Sequence, residues 1–159
     1  MRSLPWLSAS IAPLWVSPYA FAGLDSQALS TVELLPAVIT QVLACGSWAE
    51  RGQRGHYRIV LAEVSGGAGT EVYVQRILEP SEGSNQVARV LSTKPVRELN
   101  NDHSQYQVSA AKCVGKGSVV LRATYEHDAG NVERRITLVL AAAGKYRISN
   151  VIIPATNRP

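Results

Sequence analysis

The sequence has few histidines and cysteines, the side chains that most often bind transition metals. The chain of 159 residues contains three histidines and two cysteines. His56, His103 and His127 stand apart, and none has a second histidine or a cysteine at the spacing of a metal site. We therefore predict no metal site and no cofactor.

Motifs that mark catalytic nucleophiles and phosphate sites are also missing. The chain has no Gly-x-Ser-x-Gly sequence, and the glycine-rich run at residues 65–69 lacks the Lys-Ser/Thr pair and helix of a phosphate loop. We predict that the protein is not an enzyme. The alternative is a small periplasmic hydrolase that uses loop residues, if Asp102, His103, His127 and Asp128 meet at one end of the domain.

Positive charge exceeds negative charge only slightly, with a formal net charge of +4 at pH 7. Arg134 and Arg135 are the only adjacent basic pair, and neighbouring residues on a strand point to opposite faces. Proteins gain affinity for nucleic acid when clustered Lys and Arg side chains displace counterions from the phosphate backbone. A small positive charge without a basic stripe gives little of this affinity. We therefore predict that the partner is not a nucleic acid.

The N-terminal residues differ from the rest of the chain. Arg2 is the only charged residue before Asp25, and the broadly apolar stretch that follows it is shorter than the ~20 residues of a membrane span. Ala20-Phe21-Ala22 has the small-x-small pattern of a signal peptidase site. We predict a secretory signal over residues 1–22, a single β-rich domain over residues 23–159, and no transmembrane segment after cleavage. The alternative is that residues 1–22 stay on the chain as an anchor. The protein would be periplasmic or secreted.

The two cysteines, Cys45 and Cys113, form an even pair in a chain predicted to be exported. This pattern favours one disulfide, and the alternative is a pair of buried, unpaired thiols. Another alternative is a lipid anchor through Cys45, because Val-Leu-Ala-Cys at residues 42–45 is similar to the lipobox of bacterial lipoproteins. Lipidation would require a signal that runs to residue 44, although Asp25 and Glu33 lie within it.

Most of the chain alternates between apolar and polar residues, as strands do. Alternate residues of a strand face opposite sides of the sheet, and residues 55–64 are largely apolar on both sides. This pattern favours a strand in the middle of a covered sheet. Eight or nine short strands at near-regular spacing predict an all-β fold, an antiparallel β-sandwich or barrel of about eight strands. A short helix over residues 26–35 is also predicted to end before Pro36, with a single turn capped by Ser30 or Thr31 as the alternative.

Residues 119–126 and 132–140 carry the clearest hairpin pattern. A four-residue loop at 127–130 places the apolar face of the first strand opposite that of the second, with Leu121 facing Ile136. A five-residue loop would place the same apolar face opposite Val139, Thr137, Arg135 and Glu133, of which only the first is apolar. Because side chains alternate with a period of two, we predict the four-residue loop.

Taken together, these features predict an exported, disulfide-bonded β-domain. We expect a non-enzymatic protein-binding, inhibitory or envelope-assembly module, by analogy with other small exported β-domains. Its partner would be another envelope or extracellular protein. The candidate binding surface is Trp48, His56 and Arg58, since aromatic and arginine residues are common interface hot spots. The alternative role for Trp48, the sole tryptophan of the predicted mature domain, is to anchor the core beside the disulfide.

Export makes a direct prediction about the mature N-terminus. N-terminal sequencing of the protein from a secreting host should read Gly23-Leu24-Asp25, because signal peptidase cuts after small residues such as Ala22. A mature chain that starts at a lipidated Cys45 would contradict both the signal assignment and the disulfide.

Overall fold

The computed structural model describes residues 34–101, 104–128 and 132–153. The predicted signal peptide and nearly all of the predicted helix at residues 26–35 lie outside this range. Asp102 and His103 also lie outside it, so the proposed meeting of the two loops falls on residues that are not described.

The described residues form nine strands in two antiparallel sheets. The strands are β1 (Ile39–Glu50), β2 (Gln53–Val64), β3 (Gly69–Leu78), β4 (Arg89–Pro95), β5 (Asn100–Asn101), β6 (Ser104–Val114), β7 (Ser118–Tyr125), β8 (Glu133–Ala141) and β9 (Lys145–Ile152). The first sheet has the order β1-β2-β3-β4 and the second β5-β6-β7-β8-β9. Each sheet is thus a meander built from one half of the described chain. The all-β prediction is confirmed, and the arrangement is sandwich-like.

The apolar core lies between the two sheets. Most of its fully buried side chains come from the central strands β2 and β3 of the first sheet and β7 and β8 of the second. The largest are Ile59, Val72, Val74, Val119, Leu121, Ile136 and Leu138 on these strands, with Val96 between β4 and β5 and Cys45 of β1. Burial of each such side chain contributes about 1.5–3 kcal/mol, so packing between the sheets is a main source of stability.

The strand over residues 55–64 lies inside β2, which pairs with β1 on one side and β3 on the other. Its central position in the sheet is as predicted. Tyr57, Ile59 and Leu61 face the core. The alternate residues, Val60 and Ala62, are also buried, although they face away from the second sheet. The apolar character of both faces therefore reflects burial on both sides of this strand.

The hairpin between β7 and β8 has the predicted register. Leu121 pairs with Ile136 and Val119 with Leu138, the alignment that a four-residue loop produces. All four side chains are fully buried. Matching the apolar faces of the two strands was therefore sufficient to identify the register.

A β-bulge in β1 has no counterpart in the sequence-based predictions. Cys45 pairs with Tyr57 and Ser47 with His56, so Gly46 is the extra residue, and its φ of 63° suits glycine. Residues 45 and 48 would face opposite sides of a regular strand. Because of the bulge, Cys45 and Trp48 both reach the core.

A disulfide joins Cys45 of β1 to Cys113 of β6, as predicted. The two Cα atoms lie 5.5 Å apart, and the bond closes a separation of 68 residues. It therefore connects an edge strand of the first sheet to the second sheet. The sulfur atom that a lipid anchor would modify is bonded to Cys113.

Within the described part of the chain, no helix has the length and apolar character of a membrane span.

Candidate functional site

The three residues of the predicted binding surface lie on two different sides of the first sheet. Trp48 is 7% exposed and belongs to the core. Its indole Nε1–H donates to the carbonyl oxygen of His56 at 3.1 Å, and the guanidinium of Arg76 lies 4.1 Å from its ring centroid. This burial fits the alternative role of Trp48 as a core anchor. His56 and Arg58 lie on the opposite, outward side.

Arg58 begins a row of polar side chains across three strands. Its Nε donates to Oε1 of Gln75 at 2.7 Å, and Nε2 of Gln75 donates to Oγ1 of Thr93 at 3.1 Å. The row follows the register, since Gln75 of β3 pairs with Arg58 of β2 and with Thr93 of β4. Each side chain therefore helps to hold its neighbour in one orientation.

His56 lies two residues before Arg58 on the same face. Its Nδ1 is 3.1 Å from Oε1 of Glu79, and the two side chains are 31% and 44% exposed. An exposed pair of this kind contributes little to stability. It does orient the imidazole beside the polar row, where a partner could contact it.

Apolar side chains flank the polar row on both sides. On one side of the row, Val42 and Tyr73 lie on either side of Val60, with which both are paired. On the other side, Val90 pairs with Ile77, which in turn pairs with His56. Val42 and Val90 are 44% and 47% exposed. We call this surface the first outer face, made of Val42, His56, Arg58, Tyr73, Gln75, Val90 and Thr93. It combines ordered hydrogen-bonding groups with exposed aliphatic area.

Tyr73 is held on this face by an acidic neighbour. Its hydroxyl donates to a carboxylate oxygen of Glu71. This hydrogen bond, with a smaller effect of burial, raises the pKa of Tyr73 above its ordinary value. A tyrosine hydroxyl is already neutral at physiological pH at its ordinary pKa of about 10, and this shift keeps it a hydrogen-bond donor.

The hydrolase alternative depends in part on Asp128, which has a basic partner. Nε and Nη2 of Arg134 donate to its two carboxylate oxygens at 2.7 and 2.6 Å. These bonds hold the pKa of Asp128 below its usual range. The adjacent His127 contacts Glu126, with 3.1 Å between Nε2 and Oε1.

Two stacked tyrosine rings lie to one side of this ion pair. Arg134 lies over Tyr125, with 5.1 Å between its guanidinium carbon and the ring centroid. Tyr125 in turn stacks on Tyr106 at 4.9 Å between centroids, and Nδ2 of Asn150 donates to the Tyr106 hydroxyl at 3.0 Å. The contacts of Asp128 are thus those of a structural cluster that closes the end of the hairpin.

Within residues 34–101, 104–128 and 132–153, no group of three His, Cys, Asp or Glu side chains is placed to hold a metal ion.

The ion pair of Asp128 should make stability depend on pH. The pKa of Asp128 is lower in the folded state than in the unfolded state, where an aspartate titrates at about 3.9. The ion pair therefore stabilises the fold fully at pH values above the unfolded-state pKa. This stabilisation is lost as the pH falls through the folded-state pKa. Asp128→Asn should therefore be less stable than the wild type at neutral pH, and the difference should shrink under acidic conditions. Urea unfolding followed by Trp48 fluorescence measures the free energy of unfolding of the wild type and the variant at each pH.

Glu126→Gln is the matched control for this experiment. It removes a neighbouring carboxylate whose contact is with the exposed His127. We expect it to change the free energy of unfolding little at either pH. A destabilisation by Asp128→Asn that is equal at neutral and acidic pH would contradict the electrostatic role of the pair.

Comparison of the chain with protein-family models, with curated protein sequences and with solved structures finds no match. The chemical character of its surfaces is therefore the basis on which we assign a function.

Proposed function

We propose that this protein is an exported, non-enzymatic protein-binding module whose partner docks on the first outer face. The observation that carries the proposal is the ordered row of Arg58, Gln75 and Thr93 between exposed aliphatic side chains. Such docking would serve to inhibit an envelope or extracellular protein or to assemble with one. The disulfide supports the exported location, because disulfides persist in oxidising compartments.

The ordered row lowers the cost of association. A long side chain loses about 0.5–1.5 kcal/mol of conformational freedom when a partner immobilises it. The Arg58 side chain already donates to Gln75, so part of that loss has occurred in the unbound protein. Its remaining N–H groups can still donate to a partner.

The flanking side chains provide the apolar area that a protein interface needs. Interfaces place polar and arginine anchors among apolar contacts that exclude water. Val42 and Val90 lie on either side of the row and expose nearly half of their surface. Removing water from both flanks would strengthen the hydrogen bonds that a partner makes with the row.

Replacement of Arg58 tests this proposal. The exported wild-type domain, immobilised on resin, should retain a specific protein from envelope extracts, which mass spectrometry identifies. Arg58→Ala should weaken binding of that purified protein at least about tenfold, as expected for an interface hot spot. Titration calorimetry measures the two affinities.

Arg97→Ala provides a matched control. Arg97 is exposed in the connection between β4 and β5, where its backbone N–H donates to the Tyr146 hydroxyl of the second sheet, and its loss removes the same charge. We expect Arg97→Ala to bind the partner with wild-type affinity. Both Arg97→Ala and Arg58→Ala should keep the wild-type melting temperature. Equal affinity of the partner for Arg58→Ala and wild type would contradict docking on the first outer face. Retention of no specific protein would contradict the binding function itself.

A further inference from the structure

The outer face of the second sheet collects positive charge from strands that are distant in sequence. The register of β6 to β9 places Arg122 opposite Arg135 and points both away from the core. We call this surface the cationic face. Its charged side chains are Lys112, Arg122, Arg135, Lys145 and Arg147, with Glu133 as the one carboxylate among the described strand residues that face this way.

This face accounts for the whole positive excess of the predicted mature domain. Residues 23–159 hold 15 Lys and Arg against 12 Asp and Glu, once Arg2 is removed, which is a formal charge of +3. The cationic face holds five cations and one carboxylate, a charge of +4. The other residues then hold 10 cations and 11 carboxylates and are nearly neutral. The sequence shows no basic stripe, since these cations share a face only through the pairing of four strands.

Like charges directly opposite each other on a sheet are unfavourable. Arg122 and Arg135 occupy such positions on β7 and β8. Glu133 offsets part of this repulsion, since its Oε1 lies 3.4 Å from Nε of Arg122. Both arginines are nevertheless exposed, so their guanidinium groups are accessible to an external anion.

Exposed valines lie between the cations. Val139 and Val151 are 45% and 59% exposed, and Val114 is 47% exposed. A shallow depression of about 530 Å³ lies beside them, and its lining includes Val120, Arg122 and Arg135. The cationic face therefore offers aliphatic contact area as well as charge.

We propose that the cationic face binds an acidic protein segment through its aspartate and glutamate side chains. Arginine forms bidentate hydrogen bonds with carboxylates, and the valines can contact the methylene groups and apolar residues of such a segment. This site lies on the opposite side of the sandwich from the first outer face. The domain could then hold two proteins at once.

The composition of the face favours protein over the other polyanions. Single-stranded nucleic acids stack on aromatic side chains, and the described residues of the cationic face include none. Membrane-surface elements use Trp, Phe and Leu to enter the lipid boundary, whereas the apolar residues here are short valines and alanines. Carboxylate recognition requires neither stacking nor insertion.

A defined peptide tests the proposal. The probe is a fluorescein-labelled peptide of alternating Glu and Ala, with the corresponding Gln and Ala peptide as the neutral reference, and binding is followed by fluorescence anisotropy. The exported domain should bind the acidic peptide only, and the affinity should fall as salt rises. Arg122→Gln combined with Arg135→Gln should weaken binding at least about tenfold, as expected for the loss of two charge-assisted contacts.

Arg54→Gln combined with Arg89→Gln is the matched control, because it removes the same net charge from two exposed positions of the first sheet. We expect it to retain peptide binding within about twofold of wild type, and Arg58→Ala to do the same. These controls separate this site from the first outer face. Both double variants should keep the wild-type melting temperature, since their side chains are exposed.

Three results would overturn the proposal. Equal loss of peptide binding in both double variants would show a response to net charge alone. Wild-type binding by the Arg122 and Arg135 double variant would place the site elsewhere. Binding of a single-stranded oligonucleotide or of phosphatidylglycerol vesicles through Arg122 and Arg135, without binding of the acidic peptide, would identify a phosphate ligand instead.

Discussion

The disulfide between Cys45 and Cys113 is the covalent constraint that ties the two sheets together. Every strand pairing in the described residues joins strands that are consecutive in sequence, so each sheet can form from its own half of the chain. The shared apolar core and this single bond then hold the sheets face to face. Closing a loop of 68 residues contributes about 4 kcal/mol in the chain-entropy model. That is a large part of the roughly 5–15 kcal/mol by which domains are stable.

Holding the inner faces together leaves two outer faces with different chemistry. The first carries the ordered row that begins at Arg58, flanked by exposed aliphatic residues. The second carries Arg122, Arg135 and three further cations. Under the two proposals made above, the first face would bind one protein through shape and hydrogen bonds, and the second would bind another through charge.

Local patterns in the sequence were sufficient for the strands, the hairpin register and the disulfide. The register of Leu121 opposite Ile136 follows from matching apolar faces, and the bond between Cys45 and Cys113 follows from an even pair of cysteines in a chain predicted to be exported. The bulge at Gly46 was not predictable, because a single glycine within a strand has several structural explanations. The cationic face was missed for a related reason: its residues share a face only once the pairing of four strands is known.

The central claim is that one disulfide, together with the shared apolar core, holds two separately paired sheets against each other. The most direct test is thermal unfolding of the protein purified from a secreting host, with and without reductant, followed by Trp48 fluorescence and accompanied by thiol titration. The account predicts no titratable thiol before reduction, and a melting temperature that falls by roughly 10–20 °C after it, for a loss of about 4 kcal/mol. Replacing both Cys45 and Cys113 with alanine should lower it similarly. Two titratable thiols in the unreduced protein, or a melting temperature that reduction leaves unchanged, would contradict the account.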